Sequence, residues 1–249
     1  MGFESARMMA AMGLSECTMC RLAPPEFERA VAADDYDEEM REMLHLLKFA
    51  GRRAVAEVVL GERLAAAIAL LRDAAKELVV VPVPLFAARE RERGYNQAEL
   101  LAKAAVRRMS PKLKVSAGVL VRVKDTRPLY MLSPKQRRAS LRGAFRVARP
   151  DAVMGREVLL VDDVMTTGAT ARECARVLKR AGATKVWVAT AAKAQPAGSV
   201  AVYRESDVAM WSVGGSSPTS QNRDMGHPVK SSDGSVIKSP DFSKRREFW

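Results

Sequence analysis

The sequence predicts an α/β protein with a mainly parallel sheet flanked by helices, and three features of the chain predict it. Residues 158–161 are apolar and precede two carboxylates, a short loop of small residues and a helical pattern that ends at Gly182. Residues 185–192 read as the next apolar strand, which completes a β-α-β unit and implies parallel pairing. Residues 78–85 are β-branched and apolar, which is typical of a strand buried on both faces.

The other predicted elements follow from hydrophobic periodicity and from signals at helix ends. Residues 36–49 carry apolar side chains at helical spacing. Residues 54–76 form a long stretch rich in Ala and Leu, in which Gly61 is a possible break. The remaining elements are expected in this order: a polar, arginine-rich loop over 87–94, a helix over 96–109, a strand over 119–123, a short helix from the N-cap Ser133 and Pro134 to about Leu141, and a brief strand over 144–147.

Length and composition allow one such domain with appendages. The chain has 249 residues, of which 48% are hydrophobic, so it can bury a substantial core. We expect an N-terminal segment over 1–35, the α/β domain over 36–194, and a disordered tail over 195–249. The longest strongly apolar run, residues 65–71, is too short to cross a bilayer, and no export signal is recognisable. We therefore expect a cytoplasmic protein with no membrane partner.

The positive charge of the chain is concentrated in one segment. The net charge is +12, and residues 89–149 alone hold seventeen Lys or Arg against four Asp or Glu. A basic patch of this kind attracts polyanions, either pyrophosphate esters or a nucleic-acid backbone. The alternative is a solvated basic face, as found on many proteins of high pI.

The segment most informative about function is residues 158–170, where a strand leads to Asp162 and Asp163 and then to a helix N-terminus. Its order suits a sugar phosphate, because the carboxylates can meet hydroxyl groups while the phosphate lies on the free backbone N–H groups of the helix. Small residues let the backbone approach the ligand closely. The residues expected to bind this ligand are Val164, Met165, Thr166, Thr167, Gly168, Ala169 and Thr170.

Several sequence blocks together resemble the ComF/GntX branch of the type I phosphoribosyltransferases, the competence protein F-like proteins. Residues 158–170 resemble the phosphoribosyl diphosphate signature of that superfamily. The blocks that resemble the branch itself are residues 47–52, 81–85 and 91–98, and the spaced residues Thr126, Arg127, Gln136, Arg137, Gly143, Ala144 and Phe145. The resemblance covers about residues 15–193 and implies the type I phosphoribosyltransferase fold.

The resemblance also implies roles for particular residues. Asp162 and Asp163 are the implied catalytic residues, facing the ribose 2′ and 3′ hydroxyls, and residues 166–170 enclose the 5′ phosphate. The turn after Leu85 matches the loop that binds pyrophosphate, and residues 124–138 are expected to close over the site. The implied substrate contacts near that turn are Leu85, Arg93, Gly94, Asn96 and Gln97. The implied reaction is displacement of pyrophosphate at ribose C1 by a nitrogenous base, with Mg²⁺ bridging pyrophosphate and sugar oxygens; no residue is assigned as a protein ligand of a metal.

For some of these residues a structural role is the alternative. Arg93 could be an ordinary surface arginine, and Asn96 and Gln97 could simply cap the following helix. Tyr95 could belong to the core or stack on a base. Cys17 and Cys20 form a C-x-x-C where the family usually carries a four-cysteine zinc ribbon, and two thiolates leave a tetrahedral zinc half-ligated, so we expect no zinc.

Three functions are compatible with these features. The first is an enzyme that binds phosphoribosyl diphosphate and transfers its phosphoribosyl group to an unidentified base. The second, which the resemblance implies, is a non-catalytic protein that handles single-stranded DNA in natural transformation together with competence proteins; the basic segment agrees with it. The third is a nucleotide sensor without turnover. No residue identifies the acceptor base or the oligomeric state.

Overall fold

The computed structural model describes residue 20 and residues 23–71, 74, 78–110, 113–126 and 133–194. Within them the strands are β1 (Arg29–Asp35), β2 (Val79–Pro82), β3 (Leu120–Arg122), β4 (Phe145–Val147), β5 (Glu157–Met165) and β6 (Lys185–Lys193). The helices are α1 (Glu38–Phe49), α2 (Gly61–Ile68), α3 (Ala87–Arg93), α4 (Gln97–Met109), α5 (Pro134–Leu141) and α6 (Ala169–Arg180). A π-helical turn, Ala56–Leu60, precedes α2, and a 3₁₀ turn, Pro150–Ala152, precedes β5.

The larger sheet is parallel, as the sequence predicts. Its strand order is β1-β6-β5-β2, and each neighbouring pair runs parallel. The smaller sheet pairs β3 with β4 in antiparallel register. Because parallel strands end at the same edge, the loop after β5 and the turn after β2 lie at one edge of the larger sheet. The ligand-binding segments that the sequence predicts thus meet at one place.

The central strand β5 is buried on both faces and divides the core into two layers. Leu159 and Val161 pack on the side of α1, α2 and α4, whereas Val158 and Leu160 pack on the side of α6. This division follows from the alternation of side chains along a strand. A strand covered by helices on both faces reads as a continuous apolar run, which is the pattern seen in the sequence.

The sheet begins before residue 36. Residues 29–35, which the sequence analysis assigns to the N-terminal segment, form the edge strand β1 and pair with β6. The two acids after Ala33 hide the strand signal in the sequence, because they lie at the half-buried end of an edge strand. Cys17 and the tail over 195–249 lie outside the described residues, so the expectations for zinc and for the tail stay predictions.

Most predicted elements match the structure to within a few residues, but residues 87–94 do not form the predicted loop. Residues 87–93 form helix α3, and Gly94 ends it in the left-handed conformation with φ of 78°. The Ala, Arg and Glu residues of this stretch are good helix formers, and their charge obscures that propensity in a search for apolar periodicity. The helix caps at Asn96 and Ser133 and the terminal Gly182 are confirmed.

Gly61 is not a break but the point where two helices touch. A Cβ atom at this position would lie 2.6 Å from the Cβ of Ala104 in α4 and 2.8 Å from the carbonyl oxygen of Ala56. The absence of a side chain therefore lets α2 approach α4. The chain stays helical through Gly61 because tertiary packing outweighs the low helix propensity of glycine.

We expect Gly61→Ala to lower the free energy of unfolding by about 1–2 kcal/mol. Alanine is the better helix former by about 1 kcal/mol, but its methyl group collides with atoms that only a backbone shift can move. Denaturant unfolding of the variant measures the effect. Ala66→Val, on the exposed side of the same helix, is the control and should change stability by less than about 0.5 kcal/mol. A stabilised Gly61→Ala variant would contradict the close contact.

Within the described residues, no helix combines the length and the apolar character that crossing a membrane requires.

Candidate functional site

The loop between β5 and α6 is shaped as an anion cradle. β5 ends at Met165, and α6 begins at Ala169 after Gly168, whose φ of 71° places it in the left-handed region. The N-cap residue is this glycine, which has no side chain to accept from the first N–H groups of the helix, so those groups and the positive end of the helix dipole can meet a ligand. Side chains and backbone around this loop line a small depression; its lining residues are Arg137, Leu141, Asp162, Val164, Met165, Thr166, Thr167, Gly168, Ala169, Thr170, Ala171 and Thr190.

Two cationic side chains, from α5 and from the end of β6, bind the loop between β5 and α6 at Thr166. Arg137 of α5 donates from a guanidinium nitrogen to the Thr166 hydroxyl at 3.1 Å. Lys193, at the end of β6, donates to the Thr166 carbonyl oxygen at 2.7 Å. These groups add positive charge to that of the helix N-terminus, so the loop favours an anionic ligand.

Asp163 points away from this depression and forms an ion pair with Lys48 of α1. The Lys48 Nζ lies 2.8 Å from the Asp163 Oδ2, and the two side chains are only 23% and 11% exposed. Burial by itself lowers the pKa of Lys48, but the charge and the hydrogen bond of Asp163, together with the charge of Asp162, outweigh it, and the net pKa of Lys48 is raised. Burial alone raises the pKa of Asp163, yet Lys48 and the bonds from Gln97 and Val164 bring the net pKa below its ordinary value.

Asp162 is in the opposite electrostatic situation. It lines the depression, and its carboxylate accepts a hydrogen bond from the Asp163 backbone N–H at 2.9 Å. Burial and the neighbouring charge of Asp163 raise the pKa of Asp162 well above its usual range. Ionised Asp162 is thus costly in the protein alone, and a hydroxyl donor or a cation in the depression would relieve that cost.

A chain of hydrogen bonds links α3 and α4 to this pair of acids. Gln97 donates from Nε2 to the Asp163 Oδ2 at 3.0 Å, and Arg93 donates to the Gln97 Oε1 at 2.6 Å. Arg93 also lies 5.3 Å from the centre of the Phe49 ring at the end of α1. Gln97 is therefore more than a helix-end residue, because its amide orients Asp163.

Asn96 and Tyr95 have structural contacts. Asn96 caps α4 by accepting from the Ala98 N–H at 2.9 Å, and its Nδ2 donates to the Val83 carbonyl oxygen at 2.9 Å. The second bond ties the helix to the turn after β2, where Leu85 lies. The Tyr95 hydroxyl donates to the Leu47 carbonyl oxygen, so this ring connects α1 with the start of α4.

Two residues of the site, Lys48 and Lys193, have no role predicted from the sequence, and Arg137 is predicted only as part of the segment over 124–138 that closes over the site. No role follows from the sequence for Lys48, although it lies within a block that resembles the ComF branch. A signal exists, because Lys48 follows Leu44 by four residues and Leu47 by one, which places a charge on the apolar face of α1. A lysine on such a face needs a buried partner, and Asp163 is that partner.

Comparison with known proteins agrees with this geometry. A model of the phosphoribosyl transferase domain matches residues 60–214. DNA utilization protein YhgH of Escherichia coli (strain K12) is 34% identical over 174 residues, which cover 69% of this chain and 75% of that protein. Competence protein F of Haemophilus influenzae is 32% identical over 180 residues, which cover 69% of this chain and 76% of that protein. Competence protein ComFC of Bacillus subtilis (strain 168) is 30% identical over 147 residues, which cover 59% of this chain and 56% of that protein.

These relatives confirm the resemblance drawn from the sequence blocks. The family match spans the strand–loop–helix unit that carries Asp162 and Asp163. The identities to the two competence proteins extend that match to proteins of the ComF type. The chain therefore belongs to the ComF family of proteins that carry a phosphoribosyl transferase domain of the type I fold.

Proposed function

We propose that this protein binds phosphoribosyl diphosphate and transfers its phosphoribosyl group to a nitrogenous acceptor base, releasing pyrophosphate. One observation carries the proposal: the N-terminus of α6, which begins after Gly168, and the half-buried carboxyl of Asp162 line the same depression. An anion cradle beside a hydroxyl acceptor matches the two ends of a phosphorylated pentose. The phosphoribosyl transferase domain of the chain supports this reading.

In this proposal residues 166–170 bind the 5′ phosphate, with Val164 and Met165 forming the wall of the site. Asp162 accepts from a ribose hydroxyl. Asp163, which Lys48 and Gln97 orient away from the depression, fixes the Asp162 carboxylate through the hydrogen bond from its backbone N–H. Because adjacent carboxylates repel each other, Lys48 keeps Asp163 ionised beside its neighbour.

The pyrophosphate is proposed to lie against the turn after Leu85, with Arg93 and Gly94 from the end of α3. A transition state of oxocarbenium character requires the site to hold the leaving anion and to exclude water. Residues 124–138 are the proposed cover, and Arg137 of this segment already contacts the loop at Thr166. Residues 127–132 lie outside the described residues.

The residues present fit Mg²⁺ brought in with the substrate. In the described part of the chain, no three His, Cys, Asp or Glu side chains are grouped so that they could hold a metal. Mg²⁺ is commonly bound by one or two carboxylates together with substrate phosphates. Asp162, whose pKa burial and the Asp163 charge raise, is the carboxylate that a cation would stabilise. When bound, the ion would neutralise charge on the leaving pyrophosphate.

A binding titration followed by an acceptor screen tests the proposal. We expect phosphoribosyl diphosphate to bind more tightly with Mg²⁺ than without it, and at least one base to cause release of pyrophosphate. Asp162→Asn should weaken binding by about tenfold, since a charged acceptor of a hydrogen bond becomes a neutral one. Absence of binding would refute the proposal. Binding without release across all acceptors would refute transfer and favour a sensor.

A second candidate function is the handling of single-stranded DNA. The concentration of positive charge in residues 89–149 favours it, as do relatives named for DNA utilization and competence. We expect any such affinity to fall steeply with salt concentration and to be insensitive to Asp162→Asn. Retention of a labelled oligonucleotide at several salt concentrations measures this affinity. If Asp162→Asn weakened oligonucleotide binding as much as it weakens phosphoribosyl diphosphate binding, a separate DNA role would be contradicted. Competence proteins are the partners this function would involve.

A further inference from the structure

An arginine-lined cavity lies between α5, α6 and the chain over residues 24–26. It is beside the loop between β5 and α6, residues 166–168, which we call the phosphoribosyl loop. Its volume is about 580 Å³, which is within the usual range for small-molecule sites. The arginines that line it are Arg138 of α5, Arg142 directly after α5, and Arg172, Arg176 and Arg180 of α6. The α6 residues recur every four positions, so they share one face of that helix.

Two of these arginines are engaged within the protein. Arg176 donates two hydrogen bonds to the Glu173 carboxylate, at 2.9 and 2.6 Å, and Glu173 also accepts from the Gly143 N–H at 2.7 Å. Arg172 donates to the Ala23 carbonyl oxygen at 2.6 Å. These bonds fix one wall of the cavity and hold its guanidinium groups in place.

The other three arginines, Arg138, Arg142 and Arg180, are exposed, and their side chains form no hydrogen bond with any other described residue. Glu26 and Glu173 are the acids in the described lining, so five guanidinium groups face two carboxylates. Like charges gathered in a concave surface raise its positive potential. Guanidinium forks match phosphate oxygens in geometry as well as in charge.

We propose that this cavity is a second anion site, which binds a compact polyphosphate such as the phosphate chain of a nucleoside triphosphate. Arginines of α6 and of the C-terminal end of α5 converge on one concavity, and among the described residues no aromatic ring lines it for the stacking of bases. Both features favour a compact anion over a nucleic-acid strand, which needs an extended groove with stacking platforms.

The cavity is separate from the phosphoribosyl loop. Arg137 of α5 contacts Thr166 in that loop, whereas the next residue, Arg138, lines the arginine cavity. Helix α5 therefore has one site on each side, and Ala169 is a wall residue of both. This second site does not depend on phosphoribosyl transfer.

Calorimetric titration of the full-length protein with inorganic tripolyphosphate tests this inference. We expect the Arg138→Ala/Arg142→Ala double variant to bind about tenfold or more weakly than the wild type, because two charge-assisted contacts are lost. The matched control is Arg146→Ala/Arg156→Ala, which removes the same charge from exposed positions outside the cavity lining. Gly168→Val, which alters the phosphoribosyl loop, should retain tripolyphosphate binding.

Two results would overturn the inference. Equal losses in the double variant and in its control would show attraction by net charge alone. An oligonucleotide that binds through Arg138 and Arg142 and is not displaced by tripolyphosphate would assign the cavity to a nucleic-acid strand. Unchanged melting temperatures of the arginine variants verify that the folded protein is being compared, and Arg180→Ala provides an independent variant from the other helix.

Discussion

Replacing Gly168 with valine is expected to weaken phosphoribosyl diphosphate binding by roughly 30-fold or more, equivalent to about 2 kcal/mol. Gly168 adopts φ of 71°, a conformation that costs other residues about 1–2 kcal/mol and a β-branched residue more. Valine would let the loop relax out of this conformation, and ligand binding would have to restore it. A titration of the variant with phosphoribosyl diphosphate and Mg²⁺ gives the ratio of dissociation constants.

Gly155→Val is the matched control for this experiment. Gly155 has nearly the same φ, 70°, but lies in the turn before β5, where a Cβ would meet no atom within 4 Å. This variant should lose stability to the same backbone strain and keep its ligand affinity. Equal affinity loss in both variants would mean that strain acts through the fold and not through the loop. Unchanged affinity of Gly168→Val for phosphoribosyl diphosphate would contradict phosphate binding at the loop between β5 and α6.

Replacing Lys48 with methionine is expected to lower the free energy of unfolding by about 3 kcal/mol. In the wild type the Lys48 Nζ lies 2.8 Å from the Asp163 Oδ2. The variant removes this cation and leaves the Asp163 carboxylate buried next to Asp162. Losing one partner of a buried pair costs more than losing both, because an uncompensated charge remains. Denaturant unfolding at neutral pH measures the loss. Arg41→Met, in an exposed pair with Glu38 on the same helix, should cost less than about 1 kcal/mol.

A double-mutant cycle separates the ion pair from the packing of Lys48. Lys48→Met/Asp163→Asn removes both charges, so it should be more stable than Lys48→Met alone. Additive losses in the cycle would contradict the ion pair and leave only side-chain packing.

The same pair predicts how stability depends on pH. The pKa of Asp163 is lowered on balance, because Lys48 and hydrogen bonds outweigh the burial that raises it. Such a group stabilises the fold above its unfolded-state pKa of about 4, and the contribution disappears as pH falls through the folded-state pKa. Without Lys48, burial is left to raise the pKa of Asp163, so the native variant takes up a proton at a higher pH than the native wild type. We therefore expect the difference in the free energy of unfolding between wild type and Lys48→Met to narrow as the pH falls from neutral towards the lowered pKa of Asp163 in the wild type. Unfolding curves from neutral to acid pH measure it, and a constant gap would contradict the assignment.

In the strand–loop–helix unit at residues 158–170, the sequence predicts the order of the groups but not the direction of the two acids. The apolar run, the two acids and the small loop residues are consecutive, so their order alone places an anion cradle next to carboxylates. The direction of those acids could not be predicted. Strand β5 continues through Asp162 and Asp163 to Met165, so Asp162 lines the depression while Asp163 turns to Lys48.

At two places the structure differs from what the sequence predicts: the arginine-rich stretch over 87–94, and Gly61. Charge hides the helix α3 from a search for apolar periodicity, although its Ala, Arg and Glu residues favour one. Gly61 looks like a helix break because intrinsic propensity is all that the sequence offers at that position. Its contact with Ala104, which is distant in the chain, reverses that interpretation.

The sequence by itself determined the parallel α/β architecture, the strand–loop–helix unit that we propose binds phosphate, and the family, because each depends on patterns among neighbouring residues. Tertiary structure alone decided the partnership of Lys48, Gln97 and Asp163, which come from three separate elements, and the gathering of five arginines around one cavity. Interactions between residues far apart in the chain depend on how helices pack on the sheet. Local propensity and periodicity contain no information about that packing.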